Sequence, residues 1–187
     1  MRTVHALRAT IAAAAVMAAA AGCGTTVNGE PAAEGAGSTT VRDLDKIEVF
    51  NPCKQLSDEV LRSTGMDPAS KSVVTDPPSG PSSWRVCRWE PEDQQYLMYV
   101  FSTSHTLDEA RKNENLTDLQ EVTVGPRPGL SSRPKSDTER ETCHIAFAAE
   151  QGMFEVHTAW LRQGKRDVNI CAIAMKHAVD LEPHLPK

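Results

Sequence analysis

Cysteine constrains this chain more than any other residue. Five occur, at positions 23, 53, 87, 143 and 171, and an odd number in an exported protein leaves one thiol to be explained. The first stands apart from the others. The chain opens with Arg2 and Arg8, has no acidic residue before Glu30, and runs from Ile11 to Ala21 through small and apolar residues only. That is a charged start followed by an apolar stretch of secretory-signal length. It is shorter than the roughly 20 apolar residues that a membrane-spanning helix needs.

The run ends in Ala20-Ala21-Gly22-Cys23, which resembles the lipobox of bacterial lipoproteins. Small residues there suit a narrow cleavage pocket, and the thiol is needed because the lipid is joined to it as a thioether. Ala20 stands where that pattern prefers Leu. An ordinary signal peptide would leave Cys23 as a spare thiol, whereas lipidation of Cys23 leaves four cysteines, an even number. The expectation is a signal peptide over 1–22 and a lipid on Cys23. The acyl chains would then tie the domain to the outer face of the cell membrane, since each buried methylene contributes about 0.8 kcal/mol.

Charge narrows the partners. The chain carries a formal −5, and removing residues 1–22 takes away two basic residues and no acidic one, giving −7. A negative balance argues against nucleic acid, and against anionic head groups bound through a basic patch. Residues 23–48 are poor in large apolar side chains and rich in Gly, Thr and Ala. They read as a flexible tether with a reach of roughly 25 Å. Residues 49–187 form the expected single globular domain, of ordinary size for one core.

Within that domain Asn51-Pro52 opens a helix carrying Leu56, Val60 and Leu61, with Ser57 as a second cap and Gly65 as its stop. Strands are expected over Trp84 to Trp89 and Tyr96 to Phe101. The second is apolar on both faces, which suggests cover on both sides. Thr106-Leu107-Asp108-Glu109 is a capping box. Leu119 to Val124 is a third strand, and Gly125 to Glu141, with three prolines, reads as a long loop. Cys143 to Ala149 and Phe154 to Trp160, joined at Gln151-Gly152, read as a hairpin. A helix from about Asp167 closes the domain on Cys171, Ala174, Met175, Ala178 and Leu181. The expected class is α+β: a twisted antiparallel sheet of about five strands with two or three helices packed on it, stapled by disulfides.

Cys53, Cys87, Cys143 and Cys171 allow three connectivities. The simplest is local, Cys53 with Cys87 and Cys143 with Cys171, each bond tying a helix to a strand and contributing roughly 3 to 4 kcal/mol. Zinc ligation is the competing reading, helped by His144 beside Cys143, but no Cys-x-x-Cys and no His pair at i, i+4 is present. No metal and no cofactor is expected.

Several of these residues together resemble a known family. Asn51-Pro52-Cys53 followed by Leu56-Ser57, Cys87-Arg88-Trp89, Cys143, and Cys171 ahead of Leu185-Pro186 lie behind a lipobox and a low-complexity tether. The set is similar to actinobacterial lipoproteins of the domain-of-unknown-function 3558 family. The resemblance covers nearly all of the mature chain. It implies an extracytoplasmic, membrane-anchored domain of the cell envelope, supports the local disulfide pairing, and supplies no catalytic residues.

No reaction signature emerges from the remaining residues. Ser79-Gly80 and Ser131-Ser132 lack the strand-to-helix turn that activates a serine nucleophile. Asp58-Glu59, Glu90-Glu92 and Asp108-Glu109 are first of all helix-start or turn residues. His105 and His157 are the histidines best placed for function, although each also suits a solvated surface. Trp84, Trp89 and Trp160 either line a groove or fill a core poor in aromatics. The expectation is a binding or accessory module that meets an envelope protein or an amphiphilic ligand and is not an enzyme. A hydrolase with an unrecognised site and a purely structural surface protein are the alternatives.

Overall fold

A computed structural model describes residues 42–78 and 80–187 of the chain. The expected signal segment 1–22, Cys23, the tether as far as residue 41, and Ser79 lie outside the described residues. The end of the expected tether meets the domain. Arg42 donates from Nη2 to the Gln151 carbonyl, and the Ser104 hydroxyl donates to the Leu44 carbonyl.

The elements run α1 (Pro52–Gln55), α2 (Asp58–Ser63), β1 (Met66–Thr75), β2 (Trp84–Pro91), β3 (Tyr96–Thr103), α3 (Leu107–Arg111), β4 (Leu116–Val124), β5 (Arg127–Pro134), β6 (Thr142–Ala149), β7 (Gly152–Trp160) and α4 (Ile170–Leu181). The strands form one sheet in the order β1-β2-β3-β7-β6-β5-β4, every neighbouring pair antiparallel. The α+β class stands. The sheet has seven strands rather than five.

Both additional strands contain proline. β1 carries Pro68 between Asp67 and Ala69 and sits at the sheet edge, where an absent N–H costs no ladder bond. Its register with β2 shifts between Asp67 and Ser72, as a bulged edge does. β5 lies inside the sheet, but its pairing with β6 is confined to Gly129–Ser132. Pro128 and Pro134 flank that stretch, so neither interrupts it. The segment 125–141 is therefore a strand with a short connection rather than a long loop. Gly125 opens the tight β4–β5 turn at φ 56°, and a Cβ there would lie 2.7 Å from the Glu182 carboxylate.

The helices obey local signals. The sequence suggests one helix through Leu61, whereas Ser57 breaks it in two: its hydroxyl accepts from the Val60 N–H and caps α2. The Thr106–Glu109 capping box is complete, with both reciprocal bonds made. α4 starts at Ile170 because the Asn169 side chain accepts from the Cys171 N–H.

Alternation along the strands sends Trp89, Met98, Val100, Phe147, Phe154 and Val156 to one face, where all are fully buried. α4 lies over β6 and β7 on that face and adds Ala174, Ala178 and Leu181. Burying each large apolar side chain contributes roughly 1.5–3 kcal/mol. Two disulfides fasten this covered face. Cys53 of α1 bonds Cys87 of β2, and Cys143 of β6 bonds Cys171 of α4, with Cα atoms 5.2 and 5.0 Å apart. The end of the chain is clasped by Arg127, which is buried. It pairs through Nε with Glu182 at 2.6 Å and donates to the Leu185 and Pro186 carbonyls.

Candidate functional site

The second face of the sheet is only partly covered. α3 is five residues long and shields a small cluster of Leu107, Ala110, Leu130, Ala146 and Met153. Beyond it, Leu97, Tyr99 and Phe101 of β3 are half-buried. The central strand, apolar on both faces, is thus sealed on one and half-open on the other. Between α3 and the strands lies a groove of about 350 Å³.

Strand register builds its floor. His144 of β6 stands directly opposite His157 of β7, and Glu155 of β7 stands opposite Phe101 of β3. Residues 155 and 157 share a face because side chains alternate along a strand. The rings then run across the sheet in contact. His144 and His157 are stacked with centroids 3.5 Å apart and planes within 3°, and His157 lies 4.0 Å from Phe101. Phe101 meets Trp84 edge-on at 6.2 Å, and Trp84 lies 5.3 Å from His105. Edge-on and offset contacts are the favoured aromatic geometries.

Polar groups punctuate this surface. His157 Nε2 lies 2.5 Å from Glu155 Oε2. Burial, followed by the neighbouring His157 and the Arg133 charge, pushes the His144 imidazole down to about 2, so it stays neutral. Glu109 faces the groove from α3, but its carboxylate is engaged. The Thr106 backbone N–H donates to it at 2.7 Å and holds it below the usual carboxylate range. Among the described residues no serine, threonine or cysteine lines the groove, which offers aromatic faces, imidazole and carboxylate.

A second polar centre, on the covered side, has a structural logic. His177 of α4 is 1% exposed. The Thr64 hydroxyl donates to Asp180 Oδ2 at 2.9 Å, so it must accept from His177 Nδ1–H at 2.7 Å. His177 Nε2 is then bare and accepts from the Tyr96 hydroxyl at 2.8 Å. Each proton has one place, and the ring is fixed in one neutral tautomer. Burial pushes His177 down to about 4 and Tyr96 up to about 12, so neither carries charge near neutral pH. The carboxylate orders the threonine rather than the histidine, which is not the order of a nucleophile triad. The network joins the end of α2, the start of β3, and α4.

The residues singled out in the sequence are distributed as follows. His105 and His157 line the same groove. Trp84 lines it too, Trp89 fills the core, and Trp160 packs against the core edge-on to Tyr96. Cys53, Cys87, Cys143 and Cys171 are paired locally. Cys23 lies outside the described residues. His144 stands out in the sequence only through its place beside Cys143, and Glu155 not at all, because their partners come from the register of a hairpin. A signal for them exists in that hairpin. Counting outward equally from the Ala149–Gly152 pair beside the turn brings His144 opposite His157.

The family model described as Protein of unknown function (DUF3558) matches residues 18–184 of the chain. No curated protein and no solved structure matches it.

Proposed function

We propose that this chain, which belongs to the DUF3558 family, is an actinobacterial lipoprotein anchored through Cys23 at the extracytoplasmic face of the cell membrane. There it acts as a binding or accessory module of the envelope. The surface that meets an envelope protein or an amphiphilic ligand is the half-open face of the sheet.

The observation that carries the location is the cysteine pairing. Two disulfides take four of the five cysteines, and such bonds persist in oxidising compartments. The fifth is the cysteine that the sequence sets behind a charged start and a small apolar run. No helix among the described residues is long and apolar enough to cross a membrane, and in this reading the acyl chains on Cys23 are the anchor. The groove supports the binding half: among the described residues its walls present ring faces, carboxylates and imidazoles.

Metabolic labelling with an alkyne fatty acid tests the anchor. The full chain, expressed in an actinobacterial host, takes up label and partitions with membranes through a high-salt wash. Cys23→Ser takes up none and leaves the membrane fraction. An unlabelled wild type, or a labelled Cys23→Ser, contradicts the reading.

A further inference from the structure

We propose that His144, Glu155 and His157 form a binding site for a divalent transition-metal ion of the zinc type on the floor of the groove. The inference rests on reading that groove as the binding surface and adds the chemistry it presents. Two imidazoles and a carboxylate are the donor set of zinc sites that keep a position open. Here Glu155 and His157 sit two apart on one strand, and His144 stands directly across from His157. All three therefore project from the same face of two neighbouring strands. Their ligand atoms lie within 4.8 Å of one another. A tetrahedral ion with bonds of about 2.0–2.1 Å needs its ligand atoms roughly 3.3 Å apart, so the widest separation must close by about 1.5 Å while the 2.5 Å contact between His157 and Glu155 opens slightly.

Ring rotation supplies that closure. Two parallel rings with centroids 3.5 Å apart do not both aim an in-plane lone pair at one point. Binding therefore requires one imidazole to turn about χ2, a torsion that is broad in energy. Among the described residues His157 is tied through Nε2 to Glu155, itself a ligand of the proposed site, and His144 is held by stacking. Arg133, whose charge acts on His144, projects to the other face of the sheet. It is occupied there by the Arg140 and Thr142 carbonyls. The open position of the ion would face the cavity bordered by Trp84, Phe101 and His105, where a water or a ligand oxygen or nitrogen could coordinate beside an aromatic wall.

The full chain, stripped with a chelator and titrated with Co²⁺ and then Zn²⁺, provides the test. The proposal expects one equivalent of Co²⁺ to give the visible spectrum of a four- or five-coordinate site, and Zn²⁺ to displace it. Glu155→Gln should weaken binding at least ~10-fold, the loss that even an outer-shell partner produces. The double variant His144→Ala/His157→Ala should lose the spectrum while its circular dichroism and melting stay those of a folded protein. A second reading needs no variant: ring-proton resonances of His144 and His157 shift on adding Zn²⁺, and those of His177 do not. Absence of saturable binding, unmoved His144 and His157 resonances, or full binding by the double variant would overturn the proposal. Titration reads the ion with no partner present, so its failure leaves the groove's role in partner binding to be judged separately by cross-linking.

Discussion

His177 and the His144–His157 pair lie on opposite sides of the same sheet and are held in opposite ways. His177 has both ring nitrogens engaged, by Thr64 and Tyr96, in a region sealed by α4. The pair is held by ring contact and one bond to Glu155, on a face that α3 is too short to close. A buried histidine with every proton assigned locks a fold together. Half-buried histidines with uncommitted nitrogens leave chemistry available to a ligand. The difference divides the molecule into a face that holds it together and a face free to act.

The largest effects that could break this division belong to the covered face. Phe154→Ala should cost about 3–5 kcal/mol, a cavity-forming loss in a filled core. Phe101→Ala, on the groove side, should cost well under half of that. Thermal melts of the two variants side by side decide it, and equal losses would mean that the second face is core as well. Next comes the Cys143–Cys171 bond, which closes a loop of 28 residues. Replacing both cysteines by Ser should cost about 3–4 kcal/mol, read as a lower midpoint in denaturant.

Acid sharpens the comparison further. The folded pKa of His177, about 4, lies below its unfolded value near 6.5. The unfolded chain therefore binds the proton more readily. The stabilisation is complete above pH 6.5 and is lost as pH falls toward 4, by about 3 kcal/mol at most. A His177→Leu variant, measured by denaturant melts at both ends of that range, should lack that share of the decline, whatever its own stability at pH 7. His144 is also pushed down, first by burial and then by its neighbours His157 and Arg133, so the linkage has the same sign and His144→Gln should likewise lack a share of the acid decline. The smallest effect concerns Arg88 and Tyr99, paired across β2 and β3 on the half-open face. Arg88→Ala and Tyr99→Ala should each change stability by less than about 1 kcal/mol.

The parts of the fold that were readable in the sequence are those fixed locally. The capping box at Thr106, the Ser57 cap, the β6–β7 hairpin around Gly152 and the apolar β3 carry their signals within a few residues. β1 and β5 escaped because proline and polar residues hide a strand whose place is decided by neighbours distant in sequence. An edge tolerates Pro68, and the flanks of a four-residue ladder tolerate Pro128 and Pro134. The candidate site was half legible. His105 and His157 stood out by position and His144 only as a neighbour of Cys143, whereas its pairing with His157, and any meaning of Glu155, came from cross-strand register. His177 was missed for a related reason: a polar residue within an apolar helix stripe becomes core when Thr64 and Tyr96 satisfy it.

The division of labour is tested most directly by photo-cross-linking in cells. A benzophenone side chain replaces Tyr99, on the half-open face, or Val179, exposed on the outer side of α4. The account predicts a discrete cross-linked product from position 99 and none from position 179. A product from position 179 alone, or none from position 99, would contradict it.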